Sequence, residues 1–412
     1  MKRRAVWGCD DVNEGTLHNG VGDARVNGIA GEVQTDEQTA DCISSLEHLQ
    51  QEAAAAAADD SNAASAAALP AIFAPLHHFV LKSASVGGPE LKLYDAMLSP
   101  DRQLIKAGYF VAEGSLVIQQ ILSLGSSYRL ASILSTESQL HKLAKDFAEA
   151  EAFYTAEAAS GNHDEAPAPC VVFGGSRADV SKATGFKHSA LSILAIVRRP
   201  THAHMPLQQW FSSLKPAPGT MRPTLLVLDN VIKPENVGAL FRTALAFGVC
   251  GVLLSPGCAD PLYRKSIRAS MGGCFKLPYL HATHWPTELE QLKQLTGCGE
   301  SGGGRKGYKV FALHLQGSVA HDSAIAAASG GGLVVSNSAD AANGSATDVE
   351  APSPIAVMVG AEYEGVSDAA AALADVRVRI PMSDAMEGSL DSLNVNVAAA
   401  IVLERVFAGN RA

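Results

Sequence analysis

Polar side chains follow three segments that have the pattern of buried strands. Asn236 and Arg242 come after TLLVLD, Glu362 comes after IAVMVG, and Ser392 and Asn394 come after the loop that follows VRVRI. An amide, a guanidinium, a carboxylate and a hydroxyl together could bind and orient a polar substrate. These residues are far apart in the sequence, so the fold must bring three segments to one place.

Asn236 and Arg242 lie on a predicted helix that follows the first strand. The buried stripe predicted by helical spacing consists of Val237, Leu240, Phe241, Ala244 and Leu245. Pro234 stands in the first turn and Gly248 just past the end, which is typical of helix boundaries. At about 100° per residue, Asn236 and Arg242 lie beside the buried stripe and not within it.

The polar residues are expected at one edge of a parallel sheet. Five apolar segments predict strands, at Leu225 to Leu228, Val252 to Leu254, Val310 to Leu315, Ile355 to Val359 and Val376 to Ile380. Helical segments separate several of them, which is typical of a parallel sheet covered on both faces. Ligands of such sheets bind outside the carboxyl ends of the strands, where these polar residues occur.

Composition divides the 412-residue chain into several regions. Residues 1–70 have little apolar periodicity and much Ala, Ser and Asp, which predicts disorder because they can bury little surface. Residues 71–203 alternate apolar runs such as LASILST and PCVVFG with helical segments, which predicts a small α/β domain. The proline-rich residues 204–223 are interpreted as a linker. Residues 224–412 form the second predicted domain, with a low-complexity insertion at about residues 318–354.

Charge and cysteine content narrow the class of protein. The formal net charge is -10, but residues 1–70 hold 12 acidic and four basic residues, so the patterned regions permit a nucleic-acid partner. The seven cysteines show no CxxC or zinc-ligand spacing, which favours free thiols in a reducing compartment. No apolar run reaches the roughly 18 residues of a membrane span. With only a weak N-terminal signal pattern, we expect an intracellular protein, cytoplasmic or nuclear more than organellar, with no membrane partner.

Each polar or glycine position also has a simpler interpretation. Gly360 and Gly365 could serve only turns, Glu362 could cap a helix, and Arg242 could be a solvated helix residue. Ser392 precedes an apolar helix and would be a good N-cap. Taken singly, the residues leave these interpretations open, and their order along the chain is the stronger signal.

In that order the motifs resemble the SpoU (TrmH) family of RNA ribose 2'-O-methyltransferases, within the SPOUT class. NVIKPENVGALFRTALAFG is similar to the family's first motif, GAEYEGVS to its second, and IPM followed by SLNVNVAAAI to its third. YRKSIRASMGG, between the first two, resembles the family's basic segment. Through YFVAEGSLVIQQIL, the first region is similar to the family's substrate-binding extension, a small α/β RNA-binding domain.

The resemblance implies an α/β fold with a parallel sheet and a deep trefoil knot in the C-terminal SPOUT domain, a rare exception to unknotted topology. It implies S-adenosylmethionine as the cofactor, bound in the knot mainly by backbone groups. By position in the motifs, the implied cofactor-binding residues are Gly360, Ile380, Met382 and Leu393. A homodimer is implied because a second subunit usually completes this site, and no metal is implied. The chain lacks a GxGxxG after its first strand, which argues against an open dinucleotide-binding fold.

The resemblance assigns catalytic roles to Asn236, Arg242, Glu362, Ser392 and Asn394. Arg242 is placed against the 2'-hydroxyl and its neighbouring phosphate. A guanidinium is almost never neutral in a protein, so we expect phosphate clamping and electrostatic stabilisation from Arg242, and not proton abstraction. Asn236 and Glu362 would hold Arg242 and the ribose, while Ser392 and Asn394 would shape the knot and the substrate contact.

RNA is the expected partner. Arg264, Lys265 and Arg268 in the basic segment are expected to contact phosphates, although a solvated helix face would also explain them. Arg198 and Arg199, which close the first domain, are weaker candidates for the same role.

The favoured function is methylation of ribosomal RNA, because the substrate-binding extension is more typical of enzymes that act on it. The alternatives are a transfer RNA 2'-O-methyltransferase and a non-enzymatic RNA-binding or ribosome-assembly protein with the same fold. The complete set of catalytic residues favours an enzyme. A dehydrogenase or hydrolase is disfavoured, because the chain has neither a phosphate loop nor a GxSxG nucleophile motif.

Two segments depart from the family's pattern. Residues 383–391 form a loop that is a few residues longer than the family's usual glycine loop beside the cofactor. The polar, glycine-rich insertion at about residues 318–354 is expected to be a surface excursion. Neither segment removes a proposed catalytic residue.

Overall fold

The computed structural model describes two sheets with helices packed against them. The described residues are 40–55 except 42 and 53, 76, 78–83, 94, 101–159, 169–183, 192–200, 205–216, 223–295, 307–315, 319–320, 354–382 except 363, and 392–410. We call residues 43–200 the N-terminal half and residues 205–410 the C-terminal half. Most of the predicted insertion, and the long loop at residues 383–391, lie outside the described residues.

The N-terminal half contains a mixed five-stranded sheet. Its strands are β1 (Phe79–Ser83), β2 (Tyr109–Glu113), β3 (Leu130–Thr136), β4 (Cys170–Gly175) and β5 (Ile193–Arg198). The order is β1-β4-β3-β5-β2, with β5 antiparallel to both of its neighbours and the other pairs parallel. The apolar runs LASILST and PCVVFG correctly indicated β3 and β4. The sequence patterns missed β1, since HHFVLKS offers only three adjacent apolar residues.

Helices connect and cover these strands. They are α2 (Asp101–Lys106), α3 (Ser115–Ser123), α4 (Glu137–Lys142), α5 (Ala144–Ala159) and α6 (Arg177–Ala183). The apolar side chains of α3 and α5 pack with those of the sheet in one core, which includes Ile118, Ile121 and Phe147. The expected small α/β arrangement is therefore present in the described part of this region.

A helix, α1, occupies residues 43–52, inside the region expected to be disordered. Leu46 and Leu49 are buried against the sheet, and Gln50 is buried beside them. The Gln50 amide donates to the carbonyls of Ala131 and Pro169 at 3.3 Å, and its oxygen accepts from Arg198 at 2.7 Å. The expectation of disorder is wrong for this segment, because a short i, i+3, i+4 pattern finds long-range partners that composition does not reveal.

The C-terminal half contains a seven-stranded sheet in which every pair is parallel. Its strands are β6 (Thr224–Asp229), β7 (Gly251–Leu254), β8 (Tyr279–His281), β9 (Lys309–Leu313), β10 (Val319–Ala320), β11 (Ile355–Gly360) and β12 (Val376–Arg379). The order is β10-β12-β9-β11-β6-β7-β8. This confirms the parallel sheet and the five predicted strands. The patterns missed β8 and β10, which have three and two residues. The trefoil knot stays a prediction.

Helices pack on this sheet as well. They are α7 (Leu207–Ser213), α8 (Pro234–Ala246), α9 (Arg264–Ser270), α10 (Thr287–Gln294) and the C-terminal helix (Val395–Ala408), with one helical turn at Asp368–Ala371. Among the described residues, none of these helices combines the length and the apolar character that a membrane crossing requires.

Helix α7 lies in the segment that was interpreted as a linker. Leu207, Trp210, Phe211 and Leu214 are buried at helical spacing against the sheet. A Cβ on Gly251 would lie 2.9 Å from both Trp210 and Leu214, so the helix contacts the start of β7 directly. Each such buried side chain contributes about 1.5–3 kcal/mol. The linker interpretation is therefore wrong for residues 207–214, because the prolines around the helix concealed its apolar stripe.

An aromatic cluster joins the two halves. The ring of Phe275, from the C-terminal half, lies 5.0 Å from that of Tyr128 and 5.9 Å from that of Phe110, measured between centroids. All three side chains are buried, and they belong to a core that runs from one half into the other.

Asp260 forms a buried polar contact between the halves. Its Oδ2 lies 2.8 Å from Nη2 of Arg199 and 3.5 Å from Nε2 of His281, while Oδ1 accepts the N–H of Leu262. The Arg199 and Asp260 side chains are only 10% and 9% exposed. Burial alone would raise the pKa of Asp260, but His281 and Arg199 outweigh it and hold the pKa below its ordinary value.

Replacement of Arg199 should therefore destabilise the protein strongly. Arg199→Ala leaves the Asp260 carboxylate buried without its cation, and we expect the free energy of unfolding to fall by about 3–5 kcal/mol. Urea denaturation at neutral pH measures this loss. Lys145→Ala, which breaks an exposed ion pair with Glu149, is the control and should change stability by less than about 1 kcal/mol.

The loss of stability caused by Arg199→Ala should also depend on pH. Since the pKa of Asp260 is lowered by folding, its stabilising contribution is complete above about pH 4 and is lost as the pH falls through the folded-state value. The difference in stability between wild type and Arg199→Ala should therefore shrink in acid. A difference that is small at neutral pH, or constant with pH, would contradict this role of the ion pair.

Candidate functional site

Helix α8 begins close to the carboxyl end of β6 and presents two faces. Val237, Leu240, Phe241 and Ala244 are fully buried against the sheet, as the helical stripe predicted. The stripe ends one residue earlier than expected, because Leu245 is 38% exposed. Asn236 is half-buried at the edge of this stripe. Arg242, six residues further along α8, is exposed.

Helices α8 and α9 touch through their backbones. A Cβ on Gly238 would lie 2.2 Å from the carbonyl oxygen of Ser266 and 2.8 Å from the Cβ of Ala269. No side chain fits there without separating the helices. This contact places the basic segment of α9 beside the helix that carries Asn236 and Arg242.

A chain of hydrogen bonds joins the three strand ends. The Asn236 amide nitrogen donates to Oε1 of Glu362, and the Asn236 oxygen accepts from Nδ2 of Asn394 at 3.3 Å. Oδ1 of Asn394 accepts the N–H of Asn396 at 2.9 Å, and Oδ1 of Asn396 accepts from the Thr243 hydroxyl at 2.7 Å. The structure thus brings together Asn236, Glu362 and Asn394, three of the five residues assigned to catalysis.

Thr243 and Asn396 extend this chain, and the sequence motifs did not single them out. Thr243 neighbours Arg242 on α8, and Asn396 lies in the first turn of the C-terminal helix. Their signal in the sequence was only their polar side chains, which lie within the quoted motifs themselves. Together they tie the turn of α8 that carries Arg242 to the C-terminal helix.

The loop that carries Glu362 is tightly folded. Gly360 ends β11, and a Cβ there would lie 2.0–2.2 Å from backbone atoms of Gly365 and Val366. Ala361 and Gly365 exchange backbone hydrogen bonds of 3.0 and 2.9 Å, and Gly365 has a φ of 71°. Glycine is needed at both positions, at Gly360 for the close approach and at Gly365 for its left-handed backbone.

Arg242 and Ser392 have no such contacts in the described part of the chain. The Arg242 guanidinium makes no hydrogen bond or ion pair with a described residue, so its expected contacts with Asn236 and Glu362 are not formed here. Ser392 is half-buried, three residues before the C-terminal helix begins at Val395. Asn394, and not Ser392, is the N-cap of that helix.

The residues expected at the cofactor lie at the carboxyl edge of the sheet. Gly360 is the last residue of β11, and Ile380 directly follows β12, with β9 between these two strands. Met382 is exposed beyond Ile380, and Leu393 is half-buried next to the cap residue Asn394. Within the described residues, no group of His, Cys, Asp and Glu could hold a metal ion.

The basic residues of α9 differ in their contacts. Arg264 is held by Asp101 of α2, through a 2.5 Å contact to Nε and a 3.0 Å bond from its backbone N–H. Lys265 and Arg268 are exposed, and Lys265 lies 3.0 Å from Glu235. The hydrogen bond from Lys265 is the main cause of a lowered pKa of Glu235.

The two arginines that close the N-terminal half have protein partners. Arg198 donates to Gln50 and lies over the ring of Tyr109, and Arg199 is paired with Asp260. Both serve contacts inside the protein, so of the five basic residues that were expected to contact RNA phosphates, Lys265 and Arg268 are the two with exposed side chains.

Comparison with known proteins gives a consistent result. The SpoU rRNA Methylase family matches residues 223–404, which include the whole hydrogen-bonded chain. An uncharacterised tRNA/rRNA methyltransferase of Mycobacterium bovis is 33% identical over 304 residues, covering 73% of this chain and 81% of the relative.

Two solved structures share the fold. The AdoMet-bound rRNA methyltransferase of Sinorhizobium meliloti has a TM-score of 0.54 at 22% identity, over 79% of this chain and 97% of its own. An RNA 2'-O ribose methyltransferase has a TM-score of 0.50 at 22% identity, over 80% and 98% of the two chains. With a family match across the site and a relative aligned over most of its length, the chain belongs to the SpoU rRNA methylase family.

Proposed function

We propose that this protein transfers a methyl group from S-adenosylmethionine to a ribose 2'-hydroxyl of RNA. The observation that carries the proposal is the hydrogen-bonded chain that joins Glu362 and Asn394 to Asn236, which lies on the same helix as the exposed Arg242. The names of the related proteins support the reaction class, since one structural neighbour is an RNA 2'-O ribose methyltransferase. Ribosomal RNA is the favoured substrate, and transfer RNA is the alternative that the name of the Mycobacterium bovis relative also allows.

The proposed cofactor fits the residues at the carboxyl edge of the sheet. Gly360, Ile380, Met382 and Leu393 would hold it, and none of them carries a charge that would oppose the sulfonium. When bound, S-adenosylmethionine supplies an electrophilic methyl group. The fold shared with an AdoMet-bound rRNA methyltransferase supports this choice.

Asn236 is proposed to organise the substrate side of the site. Its amide nitrogen and oxygen are both used, by Glu362 and Asn394, so it fixes these two residues in place. Only Oε1 of Glu362 is bonded within the described residues, and Oε2 can accept a hydrogen bond from the ribose hydroxyl. The hydroxyl would thereby be oriented for attack, and its proton would pass to Oε2 of Glu362 as the bond to the methyl group forms and the methyl–sulfur bond breaks.

Arg242 is proposed to bind the phosphate next to the target ribose. Its side chain is exposed on α8 and has no ionic partner among the described residues. A guanidinium donates two parallel hydrogen bonds to phosphate and keeps its charge, so it clamps the substrate and does not remove a proton.

Replacement of Arg242 tests the proposal. Arg242→Ala should lower kcat/KM for methyl transfer by about 100-fold or more, because a charge-stabilising donor is lost from the site. Arg242→Lys should recover part of the rate, since an ammonium binds phosphate without the bidentate geometry. The assay is transfer of tritiated methyl from S-adenosylmethionine to unmodified RNA, with 2'-O-methyl mapping of the product.

The control for this series is Arg377→Ala, which removes an exposed arginine from β12 and should leave the rate unchanged. Methylation by Arg242→Ala at the wild-type rate would eliminate the assigned role. Cofactor binding without transfer to any RNA, by wild type and variants alike, would favour the non-enzymatic RNA-binding alternative.

We infer that the N-terminal half binds substrate RNA together with the exposed face of α9. Arg268→Ala should weaken RNA binding and reduce the slope of log K against log salt by about one, because one phosphate contact is lost. Lys265→Ala should have a smaller effect on RNA binding, since Lys265 already forms an ion pair with Glu235. Filter binding at several salt concentrations measures both, and an unchanged slope for Arg268→Ala would place the RNA elsewhere.

We also propose a homodimer. Helix α8 and the C-terminal helix pack together through Phe247 and Phe407, and they expose Leu245 and Val397, the latter by 45%. Burial of these side chains against a second copy would remove apolar surface from water. Val397→Glu should therefore shift the protein toward monomer in sedimentation velocity, whereas a wild type that sediments as a monomer would exclude this interface.

A further inference from the structure

The carboxylate of Asp229 has no role in the site described so far. Asp229 is the last residue of β6 and is completely buried. Its Oδ2 accepts the backbone N–H of Ser367 at 2.7 Å, and its Oδ1 has no hydrogen-bond partner among the described residues. A buried carboxylate oxygen without a hydrogen-bond partner lowers the stability of the fold, which points to a contribution of Asp229 beyond stability.

The position of Asp229 links two of the loops that build the site. In the parallel pair of β6 and β11, Asp229 lies opposite Gly360, from which the loop carrying Glu362 departs. On its own strand it is followed by Asn230, whose N–H bonds the Ser255 hydroxyl at 2.8 Å and whose φ is 55°. Asp229 therefore lies at the point where the chain leaves β6 toward α8, and it is paired with Gly360, the residue from which the Glu362 loop leaves β11.

The bond to Ser367 closes the loop at its far end. At the near end, the loop is held by the backbone bonds between Ala361 and Gly365. Ser367 starts the helical turn Asp368–Ala371, and its own side chain makes no capping bond there. The contact with Asp229 therefore fixes where the loop returns, and Glu362 lies between the two fixed ends.

We propose that Asp229 is a positioning residue for methyl transfer, because it holds the N–H of Ser367 and thereby fixes the loop that presents Glu362 to Asn236. This inference rests on the proposed function for its effect on rate, but the positional part can be tested without it. Asp229 acts through Glu362 and touches neither RNA nor cofactor in this scheme.

Substitutions at Asp229 separate the hydrogen bond from the charge. Asp229→Ala removes the acceptor, and we expect kcat to fall by roughly 100-fold, as for a small misplacement of a reacting group. Asp229→Asn keeps an oxygen that can accept from Ser367 and should stay close to wild type. KM for RNA should change little in both, because the proposed phosphate-binding residues Arg242, Lys265 and Arg268 are untouched.

Substitutions at Ser367 test the same bond from its donor side. Ser367 has a φ of -59°, which proline can adopt, so Ser367→Pro removes the N–H without changing that dihedral angle. Ser367→Ala removes only the hydroxyl and is the matched reference. Transfer by Ser367→Pro should be much slower than by Ser367→Ala, and combining Ser367→Pro with Asp229→Ala should cost little more than either alone.

Asp375→Ala is the control for stability. Asp375 also accepts a backbone N–H, that of Val310 at 2.7 Å, but at the start of β9, on the opposite edge of the sheet. Its loss should lower stability without lowering kcat. A similar fall in kcat for Asp375→Ala and Asp229→Ala would show a general structural effect and would overturn the proposal.

Hydrogen exchange provides a readout that does not need activity. The amides of residues 361–367 should exchange faster in Asp229→Ala than in wild type, and at the wild-type rate in Asp229→Asn and Asp375→Ala. If wild type transfers no methyl group, the proposed function fails while this exchange pattern still decides the positional role.

Unchanged exchange in Asp229→Ala, or equal rates of methyl transfer for Ser367→Pro and Ser367→Ala, would overturn the inference. If Asp229→Ala does not fold, the Ser367 pair decides it.

Discussion

The arrangement of the site depends on the acceptor-only chemistry of one carboxylate. A carboxylate can only accept hydrogen bonds, so the amide of Asn236 turns its nitrogen toward Glu362 and its oxygen away. Asn394 must then donate to that oxygen, which leaves its own oxygen to cap the C-terminal helix. One charge thus fixes the direction of successive amides, and these amides join segments that lie 126 and 158 residues apart in sequence.

Such a chain requires the backbone to be placed accurately, and two glycines contribute to this. Gly238 lets α8 approach α9 until their backbones touch, and Gly360 lets the loop after β11 fold back onto its own strand. The parallel register places Asp229 opposite Gly360, so the two loops start level with each other. A shift of one residue in this register would turn the side chains of a strand to the other face of the sheet.

Much of this organisation could be predicted from the sequence, and the remainder could not, for physical reasons. Apolar runs located the longer strands, and motif order grouped Asn236, Glu362 and Asn394. Helix α7 was hidden by the surrounding prolines, and α1 by an alanine-rich, acidic composition. The ion pair of Arg264 could not be predicted from the sequence either, since its partner Asp101 is distant in sequence and becomes adjacent only when the two halves pack together.

The junction between the halves limits how far they can behave as exchangeable modules. Phe275 packs against the rings of Phe110 and Tyr128 from the N-terminal half. Asp260 is paired with Arg199, which also belongs to that half. A C-terminal half expressed alone would expose an aromatic face and an unpaired carboxylate. Chimeras that replace the N-terminal half would have to reproduce Phe110, Tyr128 and Arg199, so the C-terminal half can be combined only with domains that preserve this junction.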